Sequence, residues 1–150
     1  MASATPQRLP VDEVTAEAVS AAFRLDGFFP EFSADLCSKM FPRSGVQHFR
    51  AGEALIEQGE TGRDLFLVLA GDVAVQFKID QMSAEVSRMG AGAVIGEMSL
   101  LSGGPRTATV AAATPAFVFR LAFEDVGYIL ENNPPLAEHL QALARTRSAR

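Results

Sequence analysis

Apolar residues recur along this chain at two spacings, and the change between them divides it. From Val11 the steps are three and four, through Val14, Ala18, Ala21 or Ala22 and Leu25, the stripe of an amphipathic helix over about 11–25. Asp12 and Glu13 in its first turn and Arg24 in its last suit the helix dipole, and Gly27 ends it. Ser33 is a good N-cap for a second, shorter helix through Leu36 and Met40, which Pro42 stops. Past Ser44-Gly45 the apolar runs shorten and glycines at 52, 59, 62, 71, 90, 92, 96, 103 and 104 break them, the texture of strands and turns. The expected strands are "VQHF", "ALIEQ", "LFLVLA", "VAVQFK", "AEVSRM", "AVI", "ATVAAA" and "AFVFRL". "LAGDV", Leu69 to Val73, reads as a hairpin turn with Gly71-Asp72 at its tip. Helical spacing returns in "AFEDVGYILENN", with Phe123, Val126, Ile129 and Leu130 on one face and Asn132-Asn133-Pro134 as the stop. It returns again in "PPLAEHLQALARTRSAR", with Leu136, Leu140 and Leu143 on one side and Pro135 tolerated in the first turn.

Closely spaced turns point to a barrel or sandwich rather than a βαβ array. The expected fold class is therefore α+β, mainly β: an eight-stranded antiparallel barrel flanked by N-terminal and C-terminal helices. Residues 1–10, with two prolines and small polar residues, are expected to be a flexible N-terminus. Residues 11–44 form an N-terminal helical segment and 45–150 the barrel with its C-terminal helices, one domain overall at this length. No internal repeat breaks the pattern.

Composition narrows the function classes. With 18 acids against 13 bases, a net charge of −5, there is no concentrated basic face for nucleic acid. The first ten residues lack the apolar core of a signal peptide, and no run approaches the roughly 20 apolar residues that cross a bilayer, so no membrane partner and a cytoplasmic location are expected. The one cysteine, Cys37 in "ADLCSKMF", cannot form an internal disulfide and reads as a buried thiol. His48 and His139 stand alone, one on a strand surface and one on a helix, without the His-x-His pair of a metal site. There is no G-x-S-x-G turn for a serine nucleophile and no Gly-Lys-Ser/Thr phosphate loop. The expectation is a protein that is not an enzyme, with no metal, no catalytic residue and no cofactor.

One stretch remains, "IGEMSLLSGGPRTATV" from Ile95 to Val110. Gly90, Gly92 and Gly96 allow close backbone approach, and "EMSLL" can form a helical turn whose free N–H groups, starting at Glu97, suit an anion. "SGGPR" turns the chain back and delivers Arg106, which can fork onto two phosphate oxygens. Glu97, an acceptor when ionised, suits a sugar hydroxyl nearby. A ribose hydroxyl and one compact phosphate against an apolar wall describe a cyclic nucleotide. On spacing alone the other reading stands beside it, that Glu97 and Arg106 merely pair as ions on a loop.

"GEMSLLSGGPRTATV", Gly96 to Val110, closely resembles the phosphate-binding cassette of the cyclic nucleotide-binding domain family, found in regulatory subunits of cyclic-nucleotide-dependent kinases, gated channels and catabolite activator proteins. "FRAGEALIEQGETGRDLFLVLAGDVAV", Phe49 to Val75, is similar to that family's first strands, and the likeness runs over about 30–145. The resemblance implies a jelly-roll barrel, cupin-like in outline, with a ligand site of Ile95, Gly96, Glu97, Met98, Ser99, Arg106, Thr107 and Ala108. It implies that Glu97 accepts the ribose 2′-hydroxyl beside the Gly96 backbone. Met98 and Ser99 would offer backbone N–H groups, Arg106 would pair with exocyclic phosphate oxygens, and Thr107 and Ala108 would add N–H groups. In that family a hydroxyl residue directly after the arginine permits a syn guanine, so the resemblance makes cGMP a ligand beside cAMP, which is placed slightly ahead; the other reading is that Thr107 only bonds the phosphate. The family closes a C-terminal lid helix over the base; here that is Pro135 to about Thr146, with Leu140 and Leu143 as candidate caps.

The expected function is a stand-alone cyclic nucleotide receptor, cAMP or cGMP, signalling to a protein partner through ligand-induced helix rearrangement. The alternative is a domain of the same fold that binds no ligand and serves as an assembly module; a small cupin-like enzyme would need a metal. The first helix, through Val11, Val14, Ala18 and Leu25, is expected to pack within the chain, or else on a second copy as a homodimer.

Overall fold

The structure, a computed structural model, describes residues 8–97 and 104–148. The elements run β1 (Arg8–Leu9), α1 (Glu13–Phe23), a 3-10 turn (Leu25–Gly27), α2 (Ala34–Met40), β2 (Gly45–Phe49), β3 (Ala54–Ile56), β4 (Leu65–Ala70), β5 (Val73–Ile79), β6 (Met82–Met89), β7 (Val94–Ile95), β8 (Thr109–Ala112), β9 (Ala116–Leu121), α3 (Phe123–Asn132) and α4 (Pro134–Ser148). All strand pairs are antiparallel, in a five-stranded sheet ordered β1-β2-β9-β4-β7 and a four-stranded sheet ordered β3-β8-β5-β6.

The mainly β architecture with flanking helices is as expected, but the closed eight-stranded barrel is not: the described strands form two separate sheets. The ladder breaks at "LAGDV". Gly71-Asp72 is not a hairpin tip, because β4 and β5 belong to different sheets. It is a corner, where Gly71 takes φ +86 and a Cβ would collide with the Pro115 carbonyl oxygen. The returning corner from β8 to β9 lies against it, with Ala113 N donating to Asp72 O at 2.8 Å and Asp72 N to Thr114 Oγ1 at 2.9 Å. The hairpin proper joins β5 to β6, with Asp80 in the left-handed region at φ 58. Nor is the N-terminus loose throughout: Arg8 pairs with Gln47 and Leu9 with Val46, adding an edge strand.

Within the five-stranded sheet β4 is buried on both faces from Leu65 to Val68, which is why "LFLVLA" is apolar without alternation. Phe66 and Val68 point between the sheets with Val118, Val73 and Val110. Leu65 and Leu67 point the other way, with Phe119 and Leu121, into a core roofed by the helices. Asp12 caps α1 by accepting from Thr15 N at 2.7 Å, and Ser33 caps α2 by accepting from Leu36 N at 3.1 Å. The face of α1 is set differently from the apolar stripe read in the sequence. Thr15, Ala16, Val19 and Phe23 are buried while Val14 is 76% exposed, since Phe23 brings more apolar area to the core than Val14 does. Arg24 is the left-handed C-cap, φ 49, rather than a member of the last turn. In α3, Val126 and Ile129 are buried as expected, and Leu136, Leu140 and Ala144 of α4 join the same core.

Candidate functional site

The segment around Ile95 and the segment around Arg106 meet on one cavity between the sheets. β7 pairs with β4, Ile95 opposite Phe66, and ends at the mouth of the cavity. Gly96 follows at φ +88, where a Cβ would stand 2.8 Å from Arg106 Nη1 and 2.9 Å from Asp64 O. Glycine is required there both for the backbone region and for the space the guanidinium fills. On the other side Arg106 is pinned by its backbone, its N donating to Glu60 O at 2.7 Å and its O accepting from Gly59 N at 2.8 Å. Its side chain passes Gly62, whose Cβ position lies 3.3 Å from Nη2, and Nη2 donates to Asp64 O at 2.8 Å. The buried Nε has no hydrogen-bond partner among the described residues. Burial lowers the pKa of this guanidinium from its ordinary value, and the carboxylates of Asp64 and Glu60 work against that.

Asp64 joins this site to the helices. Its carbonyl holds Arg106, while Oδ2 pairs with Arg120 (Nη2 at 2.6 Å) and Oδ1 accepts from Phe123 N at 2.8 Å, the first residue of α3. Arg63, the residue before it, lays its guanidinium over the Phe123 ring, 4.0 Å from the centroid.

The cavity measures about 410 Å³, in the range of small-molecule sites. Ile95, Gly96, Glu97, Arg106, Thr107 and Ala108 all line it, so the structure brings these expected site residues together; Met98 and Ser99, with the rest of the "EMSLL" turn, lie outside the described residues. The ion-pair reading of Glu97 and Arg106 is not what forms: the ion pairs among the described residues are Lys39–Asp35, Arg88–Glu85 and Arg120–Asp64. Sequence reasoning did not find Ile56, Val75, Met89 and Val110 of the apolar wall, nor Gly62 and Arg63. The strand residues carry a signal, the inward alternation from Val73 to Val75. Arg63 carries none, because a loop arginine looks like any solvated charge.

No described residue of α4 lines the cavity, and Leu140, a candidate cap, is instead buried among the helices. His139 is there too, its Nε2 2.9 Å from Phe23 O, and His48 is exposed on β2 against Phe117. Cys37 is wholly buried, and desolvation pushes its thiol up to about 12. No helix among the described residues is long and apolar enough to cross a membrane.

An antiparallel sandwich with a guanidinium and a carboxylate at one end of an apolar cavity defines a small-molecule binding domain. The family profile described as the cyclic nucleotide-binding domain matches residues 46–133, and the chain belongs to that family. It is 38% identical over 86 residues to a cAMP-dependent protein kinase regulatory subunit of Mycosarcoma maydis, covering 57% of this chain and 16% of that protein. It is 34% identical over 97 residues to a cyclic nucleotide-gated potassium channel of Rhizobium etli, covering 65% of this chain and 26% of the channel. The chain thus spans about a quarter or less of these relatives. Among solved structures, a cyclic nucleotide-binding domain from Methylobacillus flagellatus superposes with a TM-score of 0.75 at 26% identity, over 95% of this chain and 83% of that one.

Proposed function

We propose that the chain is a cyclic nucleotide receptor that takes cAMP or cGMP in this cavity, acts in the cytoplasm without catalysis or cofactor, and signals to a separate protein. The observation that carries the reading is Arg106: a guanidinium on the cavity wall, packed between two glycines and held by the Asp64 carbonyl, with its buried Nε unpartnered among the described residues. A phosphate supplies the acceptors this group lacks. Glu97 accepts from the ribose hydroxyl, the N–H groups of Thr107 and Ala108 face the phosphate, and the apolar wall takes the base; the family resemblance assigns phosphate-binding N–H groups to Met98 and Ser99 as well, which lie outside the described residues. The Thr107 hydroxyl suits the 2-amino group of a syn guanine, so cGMP stands beside cAMP, which we place first.

The output is a rearrangement of the C-terminal helices. Asp64 supports this, since its carbonyl holds Arg106 and its carboxylate holds the first residue of α3. Closure of α4 over the base would draw Leu136, Leu140 and Ala144 out of the helical core, so the first movement falls in α3. Calorimetric titration with both nucleotides tests the site. Arg106→Ala is expected to cost about 2–4 kcal/mol, roughly 30-fold to 1000-fold in affinity. Unchanged titrations in that variant would sink the assignment, and no heat from the native protein at millimolar nucleotide would favour the assembly module.

A further inference from the structure

We propose that the outer edge of β6 pairs with β6 of a second copy of this chain, antiparallel across a two-fold axis, so that the two four-stranded sheets become one continuous sheet. Of the strands at sheet edges, β1 and β7 have two residues each and β3 has three, short enough to blunt them, whereas β6 runs eight residues from Met82 to Met89. Among the described residues β6 pairs with β5 alone, and it carries neither proline nor lysine, the residues that commonly close an edge. Gln58 fixes which backbone groups face outward. Its side-chain amide accepts from Lys78 N at 2.7 Å and donates to Lys78 O at 3.1 Å, closing the inner side of the hairpin as a neighbouring strand would. In an antiparallel ladder, opposite residues turn their N–H and C=O either both toward one another or both away. Lys78 stands opposite Ser83, so the Ser83 N–H and C=O face out from the sheet edge, as do those of Glu85, two residues on.

The charges along this edge select a second copy as the strand that fits it. Past Glu85 the register skips Val86, and Arg88 then stands opposite Ala74 as Glu85 stands opposite Gln76, so Glu85 and Arg88 present the same side. Antiparallel pairing about a two-fold axis between Val86 and Ser87 sets Glu85 of each copy opposite Arg88 of the other, two opposite-charge pairs from one contact. A foreign strand would have to carry the reverse order of charges; this chain supplies it. The same pairing brings Val86, 55% exposed in the single chain, beside its counterpart. Val75 of β5 and Met89 of β6 line the cavity, so the contact braces that wall.

The test is sedimentation equilibrium, without nucleotide, of the native protein, Ser83→Pro, Glu85→Arg and Arg88→Glu, with circular dichroism as the check on folding. The native protein is expected to approach about twice the 16.0 kDa of one chain as concentration rises, with a roughly micromolar Kd, as small specific contacts show. Ser83→Pro removes a donor that β5 does not use, and is expected to keep the fold and lose the dimer. Glu85→Arg and Arg88→Glu each set like charges opposite one another across the axis and are expected to raise the Kd about tenfold or more. An equimolar mixture of those two variants restores opposite charges at both places and is expected to recover the native Kd as a heterodimer, which no effect on the ion pair within one chain produces. The charge variants and their mixture decide by themselves if the proline disturbs β6. A native protein that stays at the mass of one chain up to roughly 300 μM overturns the proposal. So does a dimer that both charge reversals leave unchanged, which puts the contact elsewhere, and so does a mixture as weak as its components.

Discussion

Gly96 and Cys37 show how burial and backbone decide the behaviour of single residues. Gly96 stands at φ +88 with Arg106 Nη1 and the Asp64 carbonyl where a side chain would be. Gly96→Ala is therefore expected to cost about 1–3 kcal/mol of stability through backbone strain, and to lower nucleotide affinity because the guanidinium must shift. Denaturant unfolding and titration of the same variant read the two effects. Cys37 lies in the helical core at 0% exposure, its thiol raised by desolvation from 9.0 to about 12. The folded protein then keeps a proton that the unfolded chain releases, so this contribution to stability is full below pH 9 and falls as pH rises from about 9 towards 12. The thiol is expected to react with a disulfide reagent only after unfolding, and rapid labelling of the native protein would contradict the placement.

At the scale of elements, the joints depend on single polar side chains. Asp125 on α3 is buried, and its Oδ2 accepts from Ser44 Oγ at 2.6 Å and from Arg43 N at 3.0 Å, while Ser44 Oγ accepts from Ala122 N at 2.9 Å. That chain ties the entrance of β2 to the start of α3. Asp125→Ala leaves a buried hydroxyl and N–H without their acceptor and is expected to cost about 2–4 kcal/mol in chemical denaturation. None of these contacts touches the cavity, so nucleotide affinity should change far less than stability. The elements themselves were legible from periodicity, because a helix buries every third or fourth residue and these apolar runs obey it. Which elements pair was not: "LAGDV" has the composition of a hairpin tip, and only the crowding of Gly71 against Pro115 makes it a corner between sheets. The hairpin at Asp80 passed unnoticed because no glycine marks it.

For the whole molecule, the 62–64 loop joins the cavity to the first residue of α3. A ligand that binds only the folded form at 100 times its Kd is expected to raise stability by about 2.7 kcal/mol. Thermal unfolding with and without cAMP or cGMP checks this, and Arg106→Ala should remove the rise. Hydrogen exchange along α3 is expected to change on binding before α4 does, since Asp64 and Arg63 both reach Phe123, while among the described residues α4 packs into the helical core. By itself the chain determined the order and type of its helices and of every strand but β1, and two local stretches of the candidate site, Ile95 to Glu97 and Arg106 to Ala108. Local spacing and glycine placement express these directly. Tertiary structure alone decided that β4 and β5 part into different sheets, that Val14 faces out while Phe23 faces in, and that Arg63 and Asp64 stand beside Arg106. Each of these depends on which distant surfaces come together and exclude water, and that information has no period along the chain.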